Sequence, residues 1–385
     1  MGYLGTLALI LVTTMFCSHF SLKLGIPAVI GELLAGILLG PALLGWVQPT
    51  HFVSEFAEIG VIFLMFIAGL ESDLSMLKRY FRPGVLVAVI GVLFPVGLIW
   101  GFSRLWGFDF VAASFLGITF AATSVSISVE VLKELQALDT RSGATILGAA
   151  VVDDILTVII LSVAVGLFGT GQQVSSLPLW LALVAQVAYF GVIYIVVKWA
   201  APYLMHLAER LFPSSAVTVM SLLLCLGMAY LADALGMSAV IGAFFAGVAV
   251  SQTPYRGEVD ASLTAIGYGV FIPVFFVSIG LNMRLAGLSR DLGFIVLLTL
   301  LALATKWVGC GLGARLAGLS WTDSHVIGSG MVSRGEMALI VAQIGFDAHL
   351  LHEDYYSSVI IVIILTTLIA PFMLKAALRR IRTQG

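Results

Sequence analysis

Two adjacent carboxylates, Asp153 and Asp154, stand inside an apolar run, Gly148-Ala-Ala-Val-Val-Asp-Asp154, that continues as Ile-Leu-Thr-Val-Ile-Ile. Asp153 lies twelve residues beyond Arg141. At the rise of an α-helix that is about 18 Å, near the middle of a membrane span. Ionisable groups at that depth are costly and usually serve a function. Adjacent helical residues point about 100° apart, so one carboxylate can face a cavity while the other faces a neighbouring helix. Two ionised carboxylates this close repel, which favours keeping a proton on one of them. A site that takes either a proton or a metal ion needs that property. An extramembrane loop is the competing reading, and the apolar flanks on both sides argue against it.

Lys306 is the second deep ionisable residue. It sits nine positions before Arg315, about 13 Å inside a span by the same rise. A snorkelling side chain reaches about 6 Å and would fall short of the interface. An unpaired ammonium at that depth is costly, so an acidic partner is expected, with Asp153 or Asp154 the best available. Two further segments are poor continuous helices: Ala121-Ala-Thr-Ser-Val-Ser-Ile-Ser128 and Gly328-Ser-Gly-Met-Val-Ser-Arg-Gly-Glu336. Unwound stretches at mid-membrane expose carbonyls and half-helix ends that hold ions. Glu130 and the Arg334/Glu336 pair could compensate their dipoles. Small residues that simply let helices pack closely are an equally good account. Glu32 is a weaker candidate, facing a water-filled funnel or pairing at an interface. Gly309-Cys-Gly-Leu-Gly313 superficially matches a dinucleotide loop, but it follows no strand and has the wrong spacing. No phosphate-binding loop, His/Cys cluster or nucleophile motif is visible, so neither an enzyme nor a bound cofactor or nucleotide is expected.

The elements that must carry these residues are membrane helices. Of 385 residues, 60% are hydrophobic and 10% charged, against roughly 25% charged in an ordinary soluble domain. No basic block suggests nucleic acid. Cys17, Cys225 and Cys310 sit in apolar stretches at no metal-ligand spacing and read as unpaired. The first apolar run lacks a basic leader and a small-residue cleavage site, so it is expected to be a retained span. About thirteen spans fall near 4–22, 26–44, 56–71, 84–106, 111–136, 141–169, 177–200, 214–233, 237–251, 262–283, 291–315, 323–346 and 355–378. With the N-terminus outside, the inside ends hold fourteen of the nineteen Lys and Arg residues and the outside ends hold three, Arg104, Arg284 and Arg290. The other two, Lys306 and Arg334, lie within spans. This bias predicts a multi-pass inner-membrane protein with its N-terminus outside and C-terminus cytoplasmic.

An internal repeat is visible. Gly25-Ile-Pro-Ala-Val-Ile-Gly-Glu-Leu-Leu-Ala-Gly36 matches Gly236-Met-Ser-Ala-Val-Ile-Gly-Ala-Phe-Phe-Ala-Gly247 at seven of twelve positions, 211 residues apart. Gly69-Leu70 falls on Gly280-Leu281 at the same offset. A shift of seven spans is odd, so the copies should run in opposite directions, as in many transporters. Chance similarity between Gly/Ala/Val-rich helices is the rival, and a register kept over two spans argues against it.

Ala122-Thr-Ser124, Gly148 to Asp154, Phe275-Phe-Val-Ser-Ile-Gly280, Lys306 and Ser333-Arg-Gly-Glu336 together resemble the cation:proton antiporter-2 family, especially NapA-type sodium/proton antiporters. The likeness covers nearly the whole chain, and the Asp-Asp pair followed by the membrane lysine is its most specific part. The resemblance implies an all-α polytopic fold of about thirteen transmembrane helices, an inverted repeat with two discontinuous crossing helices, and a homodimer. It implies one transmembrane domain over residues 1–385, with a mobile core near 84–169 and 291–378 and dimerisation helices near 1–71 and 177–283. It also implies that Asp154 is the main sodium carboxylate and that Asp153 salt-bridges Lys306. Thr123 would lie at the crossover of the broken helices. On this reading Asp154, Asp153 and Thr123 are sodium ligands, with Ser124 beside them and Glu130, Arg334, Glu336 and Glu32 in supporting roles. The expected activity is exchange of Na+, with Li+ a second candidate, for H+. A potassium-efflux protein is the first rival. The chain ends just after its last span, without the nucleotide-binding domain usual in those relatives, which weakens that reading. A sodium-coupled organic-acid symporter is the second.

Overall fold

The computed structural model describes residues 2–71, 81–124, 128–129, 131–132, 135–137, 140–168, 188–210, 215–235, 239–284 and 290–382. Every regular element among them is helical. In chain order these are α1 (Tyr3–Lys23), α2 (Ala28–Leu39), α3 (His51–Glu71), α4 (Phe81–Trp106), α5 (Phe110–Thr119), α6 (Arg141–Phe168) and α7 (Ala188–Glu209). Then come α8 (Ala216–Ala234), α9 (Ala239–Ser251), α10 (Arg256–Leu281), α11 (Leu292–Leu316), α12 (Trp321–Gly330), α13 (Gly335–Asp347) and α14 (Glu353–Arg382). Among the described residues, nine helices are long and apolar enough to cross a membrane, and four shorter apolar helices accompany them. The chain is a multi-pass membrane protein.

Several elements depart from the spans expected of the sequence, each for a local reason. The second, expected over 26–44, is the 12-residue α2, which starts after Pro27 and ends at Gly40-Pro41. At about 18 Å it is shorter than a bilayer core. The third, expected from 56, begins at His51. His51, Ser54, Glu55 and Glu58 dilute the hydropathy of its first turns, yet all four are exposed while Val53 and Ala57 are buried. By contrast, the spans over 111–136 and 323–346 are interrupted, as their Ser-, Thr- and Gly-rich stretches predict. The backbone leaves helical geometry at 122–124 and again at 332–334. The start of the seventh, 177–187, lies outside the described residues, as do Gly236 to Ser238 of the repeat.

The helices group into two compact units, Met1–Asp73 with Ser162–Met283 and Leu74–Leu161 with Arg284–Gly385. In the first unit glycines let backbones touch. A Cβ on Gly36 would strike the Val277 carbonyl, and one on Gly280 would strike the Leu33 carbonyl. The same contact recurs 211 residues away with the partners exchanged: Gly247 lies on the Phe66 carbonyl and Gly69 on the Phe244 carbonyl. Gly31 against Cys17 and Gly242 against Met228 repeat at that offset too.

The second unit keeps the same register. Both α5 and α12 span ten residues with starts 211 apart. Asp109 and Ser320 cap them, each side chain accepting the N–H of the third residue beyond, Ala112 and Asp323. Such caps satisfy amides that a helix start leaves without partners. Gly117 lies on the Val96 carbonyl as Gly328 lies on the Trp307 carbonyl. Helices α4 and α11 pack through Gly313 on the Leu86 backbone and Gly309 on Ile90 and Phe94. This brings Lys306, two turns into that interface, against the end of α5.

Close approach makes a prediction. Gly69→Val should lower the melting temperature of detergent-solubilised protein by at least about 5 °C or abolish folding, because overpacking against backbone cannot relax and costs about 3 kcal/mol or more. Gly97→Ala, where an added Cβ meets nothing within 4 Å, should stay within about 3 °C of wild type. Equal stability of the two variants would refute the tight crossing.

Candidate functional site

Four segments of the second unit converge. Helix α5 ends at Thr119 and turns at Ala121, leaving carbonyls that no further helical turn satisfies. Two buried cations take them. Lys306 Nζ donates to the Ala121 carbonyl at 2.6 Å, and Arg334 Nη1 donates to the Ala122 carbonyl at 3.2 Å. Cations at the carbonyl end of a helix also offset its dipole. Lys306 Nζ makes a second short contact, 2.7 Å to Asp153 Oδ1, with both side chains 0% exposed. Arg334 Nη2 donates to the Ala302 carbonyl of α11 at 2.6 Å. The two non-helical stretches meet directly, the Ser124 N–H donating to the Ser333 carbonyl at 2.9 Å. Ser128 Oγ donates to the Gly330 carbonyl at 2.5 Å, at the end of α12. On the other side of the break, the Gly335 N–H that opens α13 donates to Thr367 Oγ1 of α14 at 3.0 Å.

The cluster is buried and incompletely satisfied. Thr123 Oγ1, Ser333 Oγ, Asp153 Oδ2 and Arg334 Nε are buried with no hydrogen-bond partner. A buried polar atom without a partner is costly, and four near one ion pair are unusual. Three of these atoms are oxygens, the ligand type that hard cations take. Asp154, next along α6, is partly buried and so differs from its fully buried neighbour Asp153.

The structure thus gathers Asp153, Lys306, Thr123, Ser124 and Arg334 in one unit, with Asp154 on the same helix as Asp153. Glu32 belongs to the first unit, on α2, and is 9% exposed. Glu130 lies outside the described residues. Glu336 lies in α13, and its side chain is outside the described residues. Both sequence accounts of the Ser/Gly-rich segments hold in part: the chain unwinds at 122–124 and 332–334, and Gly328 packs tightly against α11. Sequence reasoning missed the carbonyls of Ala121, Ala122 and Ala302 as partners of the cations, and Thr367 as the cap of α13. Two fixed cations facing helix breaks were a signal that carbonyls would be recruited. Nothing in the residue types pointed to those three.

A family model for the transmembrane sodium/hydrogen exchanger matches residues 7–380. The chain belongs to the sodium/hydrogen exchanger family. A Na(+)/H(+) antiporter of Enterococcus hirae is 54% identical over 375 residues, covering 97% of this chain and 98% of the relative. The Na(+)/H(+)-K(+) antiporter GerN of Bacillus cereus is 42% identical over 369 residues, covering 96% and 94%. The fold is similar to that of the sodium proton antiporter MjNhaP1 of Methanocaldococcus jannaschii, with a TM-score of 0.69, 97% of each chain covered and 20% identity. In this family member, then, the ion pair sits where two helix breaks meet.

A buried pair is held by mutual dependence. Removing one partner leaves an uncompensated charge and costs about 3–5 kcal/mol. Asp153→Asn and Lys306→Met should each markedly lower the thermal stability of the purified protein. The double variant should lose less than the sum of the two, by about 1–3 kcal/mol of coupling. Strict additivity in this double-mutant cycle would contradict a direct pair.

Proposed function

We propose that the chain exchanges Na+ for H+ across the cell's inner membrane by alternating access, with Li+ as a second candidate substrate. The single observation that carries this reading is the fully buried Lys306–Asp153 pair, beside which the partly exposed Asp154 is the carboxylate able to change its occupant. The 54% identity to a protein named a Na(+)/H(+) antiporter supports the same activity. Asp154 holds either a proton or a cation, never both. The second unit is the mobile core and crosses when loaded; the empty, charged form does not. The first unit is the scaffold and carries the homodimer contact. The exchanger has thirteen transmembrane helices in an inverted repeat, its two discontinuous helices cross at 122–124 and 332–334, and its N-terminus is outside and C-terminus cytoplasmic.

Arriving cation draws Asp153 toward Asp154, and Lys306 loses its partner. An ammonium left unpaired in a buried site gives up its proton. Asp154 gives up another, so two protons exchange for one monovalent cation and transport is electrogenic. Potassium is the second reading, favoured by the 42% identity to a relative named a Na(+)/H(+)-K(+) antiporter.

Proteoliposomes with a pH-sensitive dye separate these readings when Na+, Li+ and K+ are added singly. Na+ should collapse the pH gradient most effectively. Asp154→Asn should abolish the response, at least 100-fold, while the protein remains folded. Because cation binding displaces the protons of Asp154 and Lys306, the Na+ concentration giving half-maximal exchange should fall as pH rises, by more than about tenfold per pH unit where both protons are held before the cation arrives. Near-normal exchange by folded Asp154→Asn, or a half-maximal concentration independent of pH, would refute the competition.

A further inference from the structure

Thr157 lies mid-way along α6, four residues after Asp153 and three after Asp154. Those spacings put it on the helix face of both carboxylates, one turn along. It is 2% exposed, and its hydroxyl has no hydrogen-bond partner. A helical threonine usually satisfies its hydroxyl on the carbonyl four residues back. Thr145 of the same helix does so on Arg141 at 2.7 Å, as do Thr119 on Phe115 and Thr299 on Ile295. Thr157 has the Asp153 carbonyl in that position and does not take it. Among the described residues two other buried helical hydroxyls lack partners, Ser103 and Ser324. They lie in the last turn of α4 and the first turn of α12, whereas Thr157 is in mid-helix. Asp153 Oδ2, one turn away, is also without a partner.

Two buried oxygens without partners, Thr157 Oγ1 and Asp153 Oδ2, lie one turn apart on one helix face, beside a second carboxylate, Asp154, so hard donor atoms are gathered there. We propose that Thr157 Oγ1 is a ligand of the transported monovalent cation, completing a site with Asp154 and Asp153 Oδ2, and that it sets which cation is preferred. The proposal rests on the exchange reading above and adds to it a neutral oxygen. Carboxylates bind any small cation strongly. The number and field strength of the neutral oxygens beside them tune the preference between cations of different size. The hydroxyl donates nothing to the resting site, so its use comes when the cation arrives.

The test compares Thr157→Val, which keeps the branched shape and removes the oxygen, with Thr157→Ser, which keeps the oxygen. Two readouts are taken on full-length purified protein: the thermal shift produced by Na+ or Li+, and half-maximal cation concentrations for exchange in proteoliposomes. Thr157→Val should melt at or above the wild-type temperature without cation, because it removes an unsatisfied buried hydroxyl. Its half-maximal Na+ concentration should rise about tenfold, its Na+-induced thermal shift should shrink, and the Na+ to Li+ preference should change at least threefold. Thr157→Ser should stay within twofold of wild type. A merely structural threonine would alter the cation-free melting temperature and leave the preference unchanged. Half-maximal Na+ within twofold of wild type in folded Thr157→Val, with an unchanged Na+ to Li+ ratio, overturns the proposal. If Thr157→Val does not fold, Thr157→Ala against Thr157→Ser isolates the same oxygen, and equal cation affinities in that pair overturn it. A wild-type protein with no response to Na+, Li+ or K+ overturns the exchange reading and the proposal together, an outcome distinct from a normal wild type with an indifferent Thr157 variant.

Discussion

A lysine and an aspartate, both fully buried and 2.7 Å apart, set the terms for the rest of the second unit. Neither charge is stable alone in such a setting, because taking an ion out of water costs several kcal/mol. The pair therefore has to be held from several sides. Lys306 is fixed by the Ala121 carbonyl as well as by Asp153, which requires α5 to stop where it does. Arg334 then anchors the next carbonyl, Ala122, and reaches α11 at Ala302, four residues before Lys306. The breaks in the two Ser/Gly-rich segments, the close packing of α4 on α11 and the placement of Asp153 on α6 are mutually consistent around this one contact.

The 211-residue register shows where that demand was met. Helix lengths, caps and glycine contacts recur at this offset, from the Asp109 and Ser320 caps to the Gly117 and Gly328 contacts. The exposed Arg104 and Arg315 recur as well, each donating to the carbonyl four residues on, but the ionisable residues of the buried cluster do not recur. Lys306 corresponds to Pro95, Asp153 to Ile364, and Arg334 to Thr123. Scaffold is thus shared between the copies, whereas the acids come from one and the cations from the other. A duplicated frame can hold opposite charges in one place only if its copies diverge at such positions.

Much of this was legible in the residues themselves. Helix content, the membrane setting and the depth of Asp153 and Lys306 follow from hydropathy and spacing, because burial of an ionisable group in an apolar run is expensive and hence informative. The 211 offset was visible in Gly25–Gly36 against Gly236–Gly247. Less legible was where helices stop. Hydropathy reads 111–136 as one span, since Ala, Val and Ile continue through the break. The decision rests on Lys306 and Arg334 supplying donors for carbonyls that an unbroken helix would have satisfied internally. Those donors lie about 180 to 210 residues away in sequence, out of reach of any local pattern. The early start of α3 was hidden for the opposite reason, as exposed Glu55 and Glu58 mask a turn that buries Val53 and Ala57.

The central claim is that Lys306 exchanges its hold on Asp153 for loss of a proton during the transport cycle. Cation-driven exchange under an imposed membrane potential tests it most directly, in proteoliposomes of wild type and of Lys306→Gln. Wild-type exchange should accelerate or slow with the sign of the potential, because two protons move against one monovalent cation. Lys306→Gln should either stop or retain exchange that ignores the potential. A folded Lys306→Gln protein that remains active and as voltage-sensitive as wild type would contradict the claim.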